Sequence, residues 1–372
     1  MLLQSIKLTN FKNYTAAQLH FKERTVVFTG LNGAGKTNLL DAIYLLSFGK
    51  SRYLLRDSKL IIHGEDYFRI EGTYMQQQGT TDLVIIKYPK GGKKEIVLNA
   101  KKRDKISDHV GAIPLVMIGP RDIQLFFEGS ADRRKFLDAG ISQYNKAYLQ
   151  HLITYKRILL QRNSYLKSIR SIGADEALLS SYDRQLIGPA EYIKSMREQF
   201  IEDFSILFME IYKSISGGRE IVSCDYRSQL LSQDFLTSLS ASREKDIVLH
   251  RTTVGIHKDD IIFNMDKQVL KQFGSEGQMK SFLISLKLAM KEKIKAETGK
   301  TPILLIDDIF AKLDADRVRN LLAYIHHYDD TQIFISDTSA DRVSTILRDT
   351  SIAHQVFNIE ENSPKLIYEE EG

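Results

Sequence analysis

The chain has 372 residues, 43% of them hydrophobic and 27% charged, an ordinary globular composition that excludes a disordered or collagen-like polymer and predicts two or three packed units at roughly 150 residues per domain. A lone cysteine, Cys224, excludes an intramolecular disulfide and a zinc knuckle and fits a reducing cytoplasm. The formal net charge of +5 is compatible with a polyanionic partner without requiring one.

At the start of the chain Leu2, Ile6 and Leu8 alternate with Ser5, Lys7 and Thr9, the period of a strand, and these polar residues exclude a signal peptide or a membrane span over Met1–Phe11. No later apolar run approaches the ~18 residues of a transmembrane helix. Residues 19–28 read as a second strand run ending in Val26, Val27 and Phe28, followed at once by a glycine-rich turn and a helical apolar pattern over 38–46. Runs at 68–74, 83–88 and 95–98, separated by Gly79 and Gly91-Gly92, predict a hairpin meander. Between Lys87 and Lys105 this meander carries eight basic residues against Glu95 and Asp104.

From 131 to 215 glycine and proline are nearly absent apart from Gly140, Gly173, Gly188 and Pro189, and apolar residues recur at helical spacing. Phe200, Phe204, Leu207 and Ile211 share one face, and Leu152, Leu159 and Leu166 fall seven apart, which predicts helices of about 25 residues, about 37 Å long. One of them carries Lys156, Arg157, Arg162, Lys167 and Arg170 with no acid. Tyr148, Tyr155 and Tyr165 follow the same helical period and read as packing residues. After Ser216-Gly217-Gly218, strand runs at 220–226 and 261–265 precede a helix beginning near Gly277. Thr301-Pro302 stops that helix, and 303–306 and 332–335 read as buried parallel strands. The tail from Glu360 holds five glutamates against Lys365. The expected segments are a first lobe beginning in 1–125, a helical lobe over 126–270, and a return to the first lobe over 271–372.

The sharpest chemical signal is Gly30-Leu31-Asn32-Gly33-Ala34-Gly35-Lys36-Thr37, a full phosphate-binding loop between a strand and a helix that continues at Asn38. Its backbone N–H groups and helix N-terminus receive phosphate, Lys36 reaches the terminal phosphates, and Thr37 is placed to hold Mg²⁺. The second metal carboxylate is expected at the end of Ile303-Leu304-Leu305-Ile306-Asp307-Asp308, with Asp307 in the Mg²⁺ shell and Asp308 as base or water-positioner. Lys36 and Asp307 lie 271 residues apart, too far for a small nucleotide kinase or GTPase. Ser275-Glu276-Gly277-Gln278, at a helix start, forms a second anion-binding half-site without a lysine. Two half-sites that cannot meet within one chain predict pairing, each nucleotide lying between one loop and the partner copy's serine-glycine segment.

These segments, with Leu313-Asp314 after them, resemble the ATP-binding cassette superfamily and its Rad50 and SMC branch. Leu8-Thr9-Asn10-Phe11-Lys12-Asn13-Tyr14, Asn38-Leu39-Leu40-Asp41-Ala42-Ile43-Tyr44, Gly49-Lys50-Ser51, Gly119-Pro120-Arg121-Asp122, Arg133 to Asp138 and Gly255-Ile256-His257-Lys258-Asp259-Asp260 resemble the RecF family of bacterial recombination proteins along the whole length. The resemblance implies an α/β fold: an ABC-type P-loop head, a mixed sheet around a phosphate-loop helix, with a largely helical second lobe. It further implies an ATP- and Mg²⁺-dependent homodimer that binds single- and double-stranded DNA at gapped junctions, helps recombinase loading with RecR and RecO, and hydrolyses ATP. Lys12 and Asn13 match positions near the nucleotide, Ser275, Gly277, Gln278 and Asp314 act across the dimer, and Thr338 stands where transporters carry a switch histidine. Ala34 replaces a frequent glutamine, Lys312 reverses a charge at the expected dimer contact, and Asp308 is shorter than the usual glutamate, so slow hydrolysis is expected. For DNA, Lys93, Lys94, Lys101, Lys102 and Arg103 of the meander and Lys156 and Arg157 of the acid-free helix are candidates, a solvated face being the alternative. A transporter motor would carry its signature far sooner after Lys36. An SMC-type chromosome protein would need hundreds of coiled-coil residues.

Overall fold

The computed structural model describes the chain except residues 55, 77, 173–174, 232–233, 309–314, 329, 339–344, 346, 349–351, 361–362 and 370–372. Strands β1 (Leu2–Phe11), β2 (Tyr14–His20) and β3 (Thr25–Thr29) lead to helix α1 (Lys36–Phe48). The meander is β4 (Tyr67–Met75), β5 (Thr81–Pro89), β6 (Glu95–Leu98) and β7 (Lys101–Lys102), and α2 (Ile106–His109) connects it to β8 (Leu115–Ile118). Next come α3 (Gln124–Phe127), α4 (Ser130–Tyr144), α5 (Lys146–Ile172), α6 (Glu176–Ser216), β9 (Val222–Arg227), α7 (Phe235–Ala241), α8 (Arg243–Leu249), β10 (Asp260–Met265), β11 (Gln268–Val269) and α9 (Leu270–Phe273). The chain closes with α10 (Glu276–Thr298), β12 (Ile303–Asp307), α11 (Ala315–Tyr328), β13 (Ile333–Ser336), β14 (His354–Glu360) and β15 (Ser363–Glu369). It divides into two units, one of Met1–Asp122, Ile211–Arg219 and Ser275–Gly372, the other of Ile123–Glu210 and Glu220–Gly274.

The first unit holds two six-stranded sheets, ordered β2-β1-β4-β5-β6-β7 and β15-β14-β3-β13-β12-β8. The meander sheet is antiparallel, with Leu3, Ile6 and Leu8 of β1 buried at its core. In the other sheet β14, β3, β13, β12 and β8 run parallel and only β15 is reversed. Ile303 to Ile306 and Ile333 to Ile335 are fully buried, as strands covered on both faces must be. Helix α1 packs against strands of both sheets and is therefore buried nearly all round, including its polar residues Asp41 and Ser47. Gly49 ends it in the left-handed region at φ 66, its N–H returning to the Leu45 carbonyl, where a side chain would be strained.

Three elements depart from the sequence-based expectation. The run 19–28 is two strands, because β2 ends at His20 and β3 begins at Thr25 in a different sheet. The β14–β15 hairpin is absent from that expectation: β15 lies within the acidic tail, and the short run of β14 just before it, with Val356, Phe357 and Ile359 buried, pairs with β3 in the parallel sheet. Helix α6 runs 41 residues straight through Pro189. Proline removes one helical hydrogen bond, but Leu186, Ala190 and Ile193 around it are fully buried, and that packing carries the helix across the break.

The second unit sets helices α4 to α6 beside the small antiparallel sheet β11-β10-β9. Tyr148, Tyr155 and Tyr165 are buried. Its interior is held by ions as well as by apolar contacts. Arg197 donates to Asp138 at 2.8 Å, Asp259 at 2.7 Å, the Tyr148 hydroxyl at 3.0 Å and the Ile256 carbonyl at 2.9 Å. Arg162 corrects the expectation drawn from the acid-free helix: it is 0% exposed and bonded to Asp183 at 2.8 Å, Asp246 at 2.7 Å and Thr252 at 2.8 Å, so it faces no solvent phosphate. Its acids come from α6 and α8, which no local charge count could reveal. Among the described residues no helix is long and apolar enough to cross a membrane.

Arg162→Ala removes a guanidinium shared by two buried carboxylates. The expected cost is about 3–5 kcal/mol of stability, read as a lower urea midpoint with little change in slope.

Candidate nucleotide site

The glycine-rich loop begins where β3 leaves the parallel sheet. Gly30 sits at φ 132, and a Cβ there would meet the Ile359 carbonyl oxygen of β14 at 2.5 Å; at Gly35, φ 115, a Cβ would lie 2.6 Å from both Asn13 Nδ2 and the Tyr14 hydroxyl. Only glycine fits either position without displacing backbone or buried side chains. The buried Lys36 folds its ammonium back onto the loop, donating to the Gly30 carbonyl at 2.7 Å and the Leu31 carbonyl at 2.9 Å. Burial pulls this ammonium below the ordinary lysine value, while Asp308, Asp307 and Asp337 pull it back.

Asp307 ends β12 and joins the two distant parts of the sequence. Its Oδ1 accepts from Thr37 Oγ1 at 2.9 Å and Ser336 Oγ at 2.6 Å, and its Oδ2 accepts from the Tyr53 hydroxyl at 2.7 Å. Burial and the Asp307 charge raise the Tyr53 phenol well above its usual range, so it remains a donor. Asp308 takes a left-handed backbone at φ 48, and its N–H lies 3.1 Å from both the carbonyl and the hydroxyl of Ser336. Its side chain is exposed beside the buried Asp307.

The β1–β2 hairpin reaches the same place. Lys12 Nζ lies 2.6 Å from Asp41 and 3.1 Å from Asn38 Oδ1. Asn38 donates to Asn13 Oδ1 at 2.7 Å, and Asn13 approaches the Ala34 carbonyl at 3.5 Å. Asp41, fully buried in α1, also accepts from Ser51 Oγ at 2.6 Å and the Arg52 N–H at 2.7 Å. The Arg52 guanidinium continues to Asp122, which also holds Lys287 of α10 at 3.0 Å and the Gly119 N–H at 2.8 Å. Burial raises the Asp122 carboxyl, but Lys287 and Arg52 outweigh it and hold the group below its ordinary value of 3.8.

Lys12, Asn13, Thr37, Asn38, Tyr53 and Asp307 line a cavity of 580 Å³ with Arg121 at its edge. A second cavity of 830 Å³ is lined by Gly30, Leu31, Asn32, Ala34, Thr338 and residues of the β14–β15 hairpin. Gly33, at φ 83, is open on its Cβ side. The fold thus brings together Lys12, Asn13, the loop, Asn38, Asp307 and Asp308. Ser275 is the N-cap of α10 in a reciprocal capping box, Gln278 N–H to Ser275 Oγ at 3.2 Å and Ser275 N–H to Gln278 Oε1 at 2.9 Å. With Gly277 it lines neither of these two cavities. Asp314 and Lys312 lie outside the described residues.

Of the basic candidates, Lys93, Lys101 and Arg157 are exposed and Arg103 is half-buried. Lys94 is held by both oxygens of Asp57 at 2.7 Å, Lys102 pairs with Glu95 at 2.8 Å, and Lys156 lies 3.3 Å from Asp138. Tyr53, Asp41, Asp122, Lys287 and Ser336 are site or support residues to which sequence reasoning gave no role. Asp41 and Asp122 do stand inside segments that carry the family resemblance and Tyr53 follows Gly49-Lys50-Ser51, but the Tyr53 partner Asp307 stands 254 positions away.

Residues 2–357 match the family model described as the RecF/RecN/SMC N terminal domain. DNA replication and repair protein RecF of Flavobacterium johnsoniae is 42% identical over 96% of this chain and 100% of its own, and that of Phocaeicola vulgatus is 40% identical over 97% of each. The solved structure of the recombination mediator protein RecF-ATPrS in the RecFOR pathway superposes with a TM-score of 0.89 at 28% identity, covering 99% of this chain and 98% of that one. An Smc head domain from Pyrococcus furiosus gives 0.57 at 15% identity over 98% of this chain and 95% of that one, a likeness of fold alone.

Asp122→Asn leaves Lys287 buried without its counter-charge and is expected to cost about 3 kcal/mol at neutral pH. Because the folded-state pKa is depressed, the Asp122 contribution is present above pH 3.8 and lost as pH falls through the lower folded value. Denaturant midpoints between pH 6 and pH 3 should therefore fall less steeply in the variant than in the parent.

Proposed function

The chain belongs to the RecF family of DNA replication and repair proteins, and from that premise we propose that it is an ATP-dependent DNA-binding protein whose two copies close around ATP and open on hydrolysis. The observation that carries this reading is the convergence of Lys36, Thr37, Asp307 and Asp308 on one loop while Ser275 and Gly277 line neither cavity beside it. A half-site of this kind asks for a complement from a second copy.

In this reading the backbone N–H groups from Gly30 to Thr37 receive the phosphates, and Lys36 exchanges its two carbonyl acceptors for phosphate oxygens of the same hardness and greater charge. Lys12, Asn13 and Asn38 bound the cavity on the nucleoside side. A hydroxyl and a carboxylate only 2.9 Å apart, Thr37 and Asp307, form the hard oxygen donor set that suits Mg²⁺, which when bound neutralises charge on the phosphate oxygens. Asp308 orients a water and accepts its proton as ATP goes to ADP and phosphate. Its short side chain makes that step slow, which suits a conformational switch better than a continuous motor. Ser275, Gly277, Gln278 and Asp314 contribute from the partner copy.

Closing two copies grips DNA; the ATP-bound relative is a recombination mediator of the RecFOR pathway, which supports RecR and RecO as partners, and action at gapped junctions in recombinase loading follows from the family resemblance. Exposed Lys93, Lys101, Lys102 and Arg157 are the DNA candidates with most solvent access. The place of action is the cytoplasm, where the chromosome lies.

Two variants and one measurement test this. Light scattering with and without ATP and gapped duplex should give an ATP-dependent dimer for the parent. Lys36→Ala should lose ATP binding and the dimer together. Ser275→Arg should keep nucleotide binding by the monomer but lose the dimer. A Ser275→Arg protein that dimerises normally with ATP would refute the shared site.

A further inference from the structure

Tyr53 belongs to none of the segments that carry the phosphate-loop chemistry, yet its hydroxyl is the donor to Asp307 Oδ2 at 2.7 Å, while Oδ1 takes Thr37 and Ser336. Asp307 is only 2% exposed, so its orientation is set by these hydroxyls and not by bulk water. Two of them hold one oxygen, and Tyr53 anchors the other. We propose that Tyr53 is a positioning residue for the metal end of the site, holding the Asp307 carboxylate in the orientation in which a nucleotide-bound divalent cation meets it. This rests on the reading of the loop as an ATP–Mg²⁺ site.

The side chain is held well enough to serve that purpose. Its own N–H donates to Ser51 Oγ at 3.1 Å, and Ser51 is bonded to the buried Asp41 at 2.6 Å. Lys12 Nζ and the Arg121 guanidinium lie over its ring at 5.7 Å and 5.6 Å from the centroid. Gly119 borders the hydroxyl: a Cβ there would stand in ordinary contact, 3.4 Å from it and 3.7 Å from Asp307 Cβ. Backbone, ring and hydroxyl are thus each anchored, and the hydrogen bond to Asp307 needs little further ordering. Outer partners of this kind orient a metal-ligating carboxylate, and losing one weakens metal binding by about 10–100-fold.

The test uses the full-length protein and fluorescent mant-ATP. In Tyr53→Phe, which keeps the ring and its cation contacts, the Mg²⁺ concentration at half-maximal binding should rise about 10-fold, whereas mant-ATP affinity in EDTA should stay at the parent value. Free-Mn²⁺ electron paramagnetic resonance with a non-hydrolysable ATP analogue should report the same loss of metal affinity without any turnover. Ser51→Ala, which frees the Tyr53 backbone, should shift the Mg²⁺ midpoint in the same direction by less. An unchanged or lowered midpoint in Tyr53→Phe, or an equal loss of affinity in EDTA, overturns the positioning role. A parent protein that binds no mant-ATP with or without Mg²⁺ overturns instead the nucleotide reading on which it rests.

Discussion

A single buried carboxylate ties the first unit together. Asp307 is reached from α1 by Thr37, from β13 by Ser336 and from the segment after α1 by Tyr53. Thr37 and Asp307 are 270 positions apart in the chain and become neighbours because β3, β13 and β12 lie side by side in one parallel sheet. A carboxylate almost removed from water is tolerable only when donors or a cation compensate it, and three hydroxyls supply that here. The second unit is inserted between two strands of the first, and the sheet register brings the loop and its acid together across that insertion.

A second constraint runs through the buried charges of the same unit. Lys287 on the signature helix, Asp122, Arg52, then Asp41 through the Arg52 backbone and Ser51, and finally Lys12 and Asn38 form a connected chain of polar contacts that ends at the phosphate loop. Each ion is costly to bury alone and acceptable in its pair, so the members depend on one another. The helix that presents Ser275 is therefore anchored to the residues that line the nucleotide cavity.

The helical unit uses the same device in its interior. Arg162 and Arg197 are enclosed by carboxylates from other helices and from the segment before β10. Arg162, which reads as a member of a basic helix, and Arg197 are thus internal cross-links. Local charge counts mistake them because a side chain's burial depends on which helix packs against it, and that information is not local.

The amino-acid order by itself determined the phosphate loop with its flanking strand and helix, the apolar strand ending in Asp307, the meander, and the helix start at Ser275. Each is encoded within about ten neighbouring residues by period or glycine placement, and at Ser275 the sequence marked a helix start while the structure supplied the reciprocal cap. Only the tertiary structure decided that Tyr53 meets Asp307, that Asp122 lies between Arg52 and Lys287, that α6 continues through Pro189, that β14 and the acidic-tail strand β15 complete the sheet, and that Arg162 is internal. The physical reason is common to all five. Short-range pattern records what a segment can form, whereas burial and long-range pairing depend on surfaces contributed by residues tens to hundreds of positions away.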